Sequence, residues 1–213
     1  MSETRIPKAE ITGVLGAAAK RFSKKMLGEV PEQLEVMWHN KSVLMAMMGV
    51  SKKAKKWKEC DEHLKAFAHM ATMALIGCRF CLDLGYFMAH HEGLDVGKAR
   101  EVPRWRESDV FTPLERDVME YAEAMSQTPP MVTDELSARL LKSLGAPALI
   151  ELTAYVTMAN MAARMNIAIG PFGSQGFAEA CGLRPLTEPS TSVHCSQLSW
   201  TTSSASAAEP SIS

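Results

Sequence analysis

The stretch "CDEHLKAFAHMATMALIGCRFCLDLGYFMAHHEGLD", residues 60–95, reads as two helices broken by one glycine. The first, about 59–76, carries Leu64, Phe67, Ala68, Ala71, Met73, Ala74 and Leu75. It becomes apolar nearly all round toward its end, which predicts that this end is buried. Gly77 breaks it. The second helix runs over about 78–92 and stops at Gly93, a typical residue just past a helix end. Two cysteines three residues apart, Cys78 and Cys81, stand where the second helix begins.

Outward from this pair the helical pattern continues, and strand signals are nearly absent. A helix is predicted over about 8–27, ending near Gly28. Another starts at Pro31, a residue suited to the first helical position, and continues through "EQLEVMWHNKSVLMAMMGV". Ser51 is a candidate cap for the next segment, and "SKKAKKWK" reads as a solvated basic patch. Asp95 can start a short helix to about 101, with "EVPRWRESDVF" as a loop. In "TPLE", Thr112 caps, Pro113 takes the first turn and Glu115 sits three after the cap. Thr133 caps a further helix that Gly145 closes. A long helix over about 147–169 is apolar on most sides, which places it in a core or a subunit interface. A short helix is expected at about 174–181. The chain is therefore expected to be all-α, with a short arm (1–7), one helical domain (8–185) and a disordered Ser/Thr-rich tail (186–213).

Bulk composition narrows the function classes. Net charge is −1, with Lys+Arg 23 against Asp+Glu 24, so no basic excess points to nucleic acid or an anionic membrane. The start "MSETRIPKAE" lacks the order of a signal peptide, and no long uncharged apolar run predicts a membrane span. A cytoplasmic location is the expectation, and the five cysteines should then be mostly reduced. Fifteen methionines against seven phenylalanines fit soft packing between helices, or a methionine-lined pocket.

Three readings of Cys78 and Cys81 stand open: zinc, packing and redox. Structural zinc needs four ligands at set spacing, and the chain has no second such pair. Redox chemistry has the best physical footing. Unpaired N–H groups and the positive dipole end at a helix start favour thiolate over thiol. Residues three apart share a helix face, so two sulfurs can meet. One thiolate can attack a peroxide or disulfide, and the other can resolve the product. Arg79 adds a positive charge nearby.

These residues resemble the alkylhydroperoxidase D-like and carboxymuconolactone decarboxylase superfamily. The resemblance rests on the apolar helix ending in "GC", the Cys-x-x-Cys, the next helix closed by Gly93-Leu94, and the later helix ending "ARMNIAIG". It extends over about residues 30–170, and looks closer to a branch that keeps "GC-x-x-C-x-D-x-G" followed by "EVPRWRES" and "FTPLERDVMEYAEAMS". It implies a helical bundle of about six to eight helices, assembled as a dimer, trimer or hexamer. It implies that Cys81 attacks and Cys78 resolves, with a peroxide or disulfide as substrate and a thiol as reductant. No cofactor and no metal are expected.

The family's proton relay uses a histidine four residues after the second cysteine and a glutamate twelve before the first. Those positions here are Gly85 and Ala66, so both groups are missing. His69 and Glu62, seven apart on the preceding helix, share a face and are the candidates to replace them; a hydrogen-bonded core histidine is the plainer reading of His69. The gap at Gly85 can also admit a ligand or a close backbone. On the long helix Thr157, Asn160 and Arg164 share a face. Arg164 and Asn160 are candidate substrate-binding residues, or else they bond between helices or subunits. The loop Arg104, Trp105, Arg106 either covers the pocket or packs on a neighbour.

The expected function is a thiol-dependent alkyl hydroperoxidase or disulfide reductase. The alternatives are a non-catalytic oligomeric redox-sensing or ligand-binding protein, and a decarboxylase-type lyase that works without the cysteines.

Overall fold

A computed structural model describes residues 4–170, 172 and 173. The tail expected at 186–213 and the short helix expected at 174–181 lie outside the described residues. Within them the chain is all-α, as its periodicity predicts. Nine α-helices occur among the described residues: α1 (Gly13–Leu27), α2 (Glu32–Met37), α3 (Lys41–Ala54), α4 (Glu62–Ile76), α5 (Arg79–His91), α6 (Val96–Glu101), α7 (Pro113–Ser126), α8 (Asp134–Leu144) and α9 (Ala146–Ile169). Two short 3₁₀ turns, Trp38–Asn40 and Val102–Arg104, join neighbours. No helix among the described residues is long and apolar enough to cross a membrane.

Local chemistry explains the boundaries that matter for the site. The Asp61 side chain accepts from the backbone N–H groups of His63 and Leu64 and so starts α4. Gly77, at φ 81°, takes the left-handed conformation that ends α4. Both its N–H and that of Cys78 return to the Met73 carbonyl, at 3.0 and 3.1 Å. The chain turns sharply there and enters α5. Thr112 and Glu115 form both halves of the capping box that opens α7.

Three sequence expectations are revised. The first helix begins at Gly13 rather than near residue 8. Residues before it are held against α2 instead: Ala9 donates to the Glu35 carbonyl, Lys8 pairs with Glu32 and Glu35, and Ile11 is buried with Met37, Trp38 and Leu44. The helix expected from Pro31 onward is broken at Asn40, whose side chain accepts from Val43 N–H and starts α3 afresh; Ser51 then lies inside α3. The loop expected at 101–111 contains the turn Val102–Arg104, because Val102 is fully buried. Trp105 packs into the core and its indole N–H donates to Glu123 of α7 at 2.8 Å.

α4 is the central element and packs against α5, α7 and α9. One side carries Phe67 and Met70 into a cluster with Tyr86, Trp105, Phe111 and Met119. Another joins Ala68 to Val118, Leu140, Leu152 and Val156. Its C-terminal end puts Met73 with Cys78, Phe80, Cys81, Ala159, Ala163 and Phe172. The burial expected for this end of α4 is present at Ala71 and Met73 but not at Leu75, which is 42 % exposed, and the cysteine pair is part of the packed interior.

Candidate active site

Cys78 is the N-cap of α5 and Cys81 lies in its first turn. The three-residue spacing leaves the Cα atoms 5.3 Å apart, and the two sulfurs form a disulfide. Both residues are buried. The first turn of a helix presents N–H groups without intrahelical acceptors, and the helix dipole is positive there. A charge on either sulfur after reduction would thus be met by favourable backbone dipoles.

One side chain addresses the pair directly. Asn166 of α9 donates from Nδ2 to the Cys81 Sγ at 3.2 Å. Gln33 of α2 donates from Nε2 to the Asn166 Oδ1 at 2.7 Å. Asn166 is only 3 % exposed. Beside the disulfide lies a cavity of about 290 Å³, lined by Gly77, Cys78, Arg79, Asn166, Ile167 and Phe172 among others. Sequence reasoning missed both Asn166 and Gln33. The available signal was an amide inside the apolar run "NIAIG", which must find a polar partner once buried.

His69 reaches α5 from α4. A β-carbon at position 85 would stand 3.3 Å from His69 Nδ1 and 3.3 Å from Met70 Cγ. The imidazole therefore sits in the slot that glycine leaves open, one turn beyond Cys81. Its ring also meets Tyr155 of α9 edge-on, with centroids 6.3 Å apart. Burial pushes its pKa down to about 4, so it is neutral at physiological pH. The gap foreseen at Gly85 is thus filled by a side chain of the same chain.

Glu62 stands elsewhere. It is exposed at the start of α4, where Lys58 pairs with it and holds its carboxyl below the usual range. Asn160 and Arg164 are brought together, facing α7. Asn160 donates to Ser126 Oγ at 2.9 Å, and Arg164 donates to the Ser126 carbonyl at 2.7 Å and to Thr128 Oγ1 at 3.3 Å. Neither lines the cavity beside Cys78. Cys60 is a separate buried thiol whose pKa burial pushes up to about 11, which marks it as unreactive.

Comparison with known proteins agrees with this architecture. Residues 42–124 match the carboxymuconolactone decarboxylase family. An uncharacterized protein of Escherichia coli, YnjA, is 41 % identical over 102 residues, which is 48 % of this chain and 55 % of that protein. The match thus spans about half the length of that curated relative. Among solved structures, a cysteine-to-alanine variant of the debrominase Bmp8 in complex with 2,3,4-tribromopyrrole superposes with a TM-score of 0.70 at 19 % identity, covering 85 % of this chain and 100 % of that one. The alkylhydroperoxidase AhpD core of an uncharacterized peroxidase-related protein from Ralstonia eutropha JMP134 gives 0.70 at 16 % identity, covering 83 % and 95 %. The fold is alkylhydroperoxidase D-like, and the superfamily resemblance read from the cysteine motif holds.

Proposed function

We propose, for a chain whose residues 42–124 match the carboxymuconolactone decarboxylase family, that Cys78 and Cys81 form the redox couple of a thiol-dependent hydroperoxidase. The Cys81 thiolate attacks the terminal oxygen of a hydroperoxide. The O–O bond breaks, the alcohol leaves with a proton, and Cys81 becomes a sulfenic acid. The Cys78 thiolate attacks that sulfur, water leaves, and the disulfide forms. A thiol reductant then returns the pair to the dithiol state. His69, held neutral by burial, accepts a hydrogen bond from the reduced pair where the relay histidine is absent from position 85, and solvent takes the proton.

The observation that carries this reading is the Asn166 N–H aimed at the Cys81 sulfur at the start of α5. A packing cysteine needs no such donor. Support for His69 is its seat against Gly85. In this proposal Glu62, paired at the surface with Lys58, takes no direct part, and Asn160 with Arg164 ties α9 to the end of α7.

A second reading uses the same sulfurs. Bmp8, a debrominase, shares this fold, and a thiolate beside a small cavity can equally take part in reductive removal of halogen from a small ring. Peroxidase assays with an organic hydroperoxide, and halide release from a brominated pyrrole, separate the two. Hydroperoxide consumption that disappears in Cys81→Ser is expected. Consumption retained in a Cys78→Ala/Cys81→Ala double variant would show that the cysteines do not carry the chemistry.

A further inference from the structure

We propose that Asn166, oriented by Gln33, receives Cys81 as the leaving thiolate when a small reducing thiol enters the cavity beside Arg79 and attacks Cys78. The proposal deepens the redox reading and rests on it.

The route of attack depends on which sulfur is reachable. Cys78 is among the described residues that line the cavity. Its volume of about 290 Å³ is at the lower end of small-ligand pockets, so a low-molecular-weight thiol is the occupant it fits. Exchange needs the incoming thiolate to approach one sulfur from the side away from the other, and access decides which is attacked. Entry through this cavity therefore makes Cys78 the sulfur attacked and Cys81 the one that leaves.

The leaving sulfur has a donor prepared for it. A sulfur in a disulfide carries no hydrogen and can only accept, so the atom of Asn166 that faces it must be the amide nitrogen, at 3.2 Å. Gln33 enforces the same orientation by donating to the Asn166 oxygen at 2.7 Å. When the disulfide opens, this bond becomes charge-assisted. Bonds of that kind are roughly twice as strong as neutral ones. Asn166 touches the reacting atom and is a catalytic residue. Gln33 acts through it and is a positioning residue.

The step balances. The reductant thiolate bonds to Cys78 Sγ, the Cys78–Cys81 bond breaks, and its electron pair goes to Cys81 Sγ. A second thiol attacks the mixed disulfide, releasing the oxidised small-molecule disulfide and the Cys78 thiolate, which takes a proton from solvent. Two thiols are oxidised and the protein disulfide is reduced by two electrons.

The test uses the full chain. Trypsin cleaves after Arg79 and so puts Cys78 and Cys81 on different peptides. The reduced protein is alkylated with iodoacetamide across a pH series and each peptide is followed by mass spectrometry. In Asn166→Leu the donor to Cys81 is lost at nearly the same volume and no charge is introduced beside the sulfur. This variant is expected to move the Cys81 alkylation midpoint up by about one to two pH units, with a smaller change at Cys78. Asn166→Ala should do the same and Gln33→Ala less. If the alanine variants do not fold, Asn166→Leu against wild type gives the answer alone. In a second arm the oxidised protein is treated with glutathione and quenched with iodoacetamide; the mixed disulfide is expected on the Cys78 peptide. An unmoved Cys81 midpoint in Asn166→Leu, or glutathione found on Cys81, overturns the proposal. Hydroperoxide consumption by the wild type is measured in parallel. No consumption with a moved midpoint defeats the peroxidase reading alone. Consumption with an unmoved midpoint defeats the Asn166 assignment alone.

Discussion

His69 carries an imidazole in a place where protonation is costly. Its pKa is pushed down to about 4 by burial, against an ordinary value near 6.5. Between these values the unfolded chain binds a proton that the folded chain does not. Stability therefore rises with pH through that window. The contribution is complete above about pH 6.5 and is lost as pH falls toward 4, by up to about 3 kcal/mol. His69→Asn is expected to flatten this slope in urea unfolding measured at several pH values, and an unchanged slope contradicts the placement. The same variant should lower hydroperoxide kcat/KM by about tenfold, the worth of one hydrogen bond to the reduced pair. Individual site residues were unequally legible in the sequence. Cys78 and Cys81 announce themselves by spacing at a helix start. His69 was within reach once position 85 proved to be glycine, because a neighbouring helix had to supply any base. Asn166 and Gln33 were not, because they lie 133 positions apart and nothing in either local pattern points to the other.

The α4–α5 pair shows the same logic between elements. Gly85 permits His69 and Met70 to approach the α5 backbone, so the two helices are matched at that crossing. Gly85→His alone is expected to destabilise by about 1–3 kcal/mol through overpacking. Combined with His69→Ala it should recover a substantial part, with a coupling of about 0.5–3 kcal/mol in a double-mutant cycle. Additive losses would mean that the two positions do not compete for one space. Helix boundaries were legible where short-range chemistry decides them, as with the Thr112–Glu115 capping box and the Gly77 and Gly145 stops. They were illegible where distant packing decides. The apolar face running on from Pro31 hid the break at Asn40, and the extended residues before Gly13 depend on α2 being there to receive them.

The molecule as a whole is tied together through α4, and one buried ion pair joins it to α9. Lys65 donates to Glu151 at 2.6 Å and to the Trp57 carbonyl at 3.0 Å, and Glu151 also accepts from Glu59 N–H at 2.8 Å. Burial opposes the charge on Glu151, yet these bonds hold its carboxyl below the usual range. Its stabilisation is therefore present at neutral pH and is lost as pH falls through and below the ordinary carboxylate range. Lys65→Met leaves a buried charge without its partner and is expected to cost about 3–5 kcal/mol, read by chemical unfolding; Lys65→Met/Glu151→Leu should restore most of it. The all-helical class was legible because helical periodicity runs through the chain. The ion pair was not, since Lys65 and Glu151 are 86 positions apart and each reads locally as a surface charge.

Thiol counting on the reduced protein after one exposure to an organic hydroperoxide tests the central claim most directly. Two of the five thiols are expected to disappear per chain. Both should map to the peptides carrying Cys78 and Cys81, and Cys81→Ser should form no such disulfide. Full retention of all five thiols in the wild type, or the same loss in Cys81→Ser, contradicts the claim.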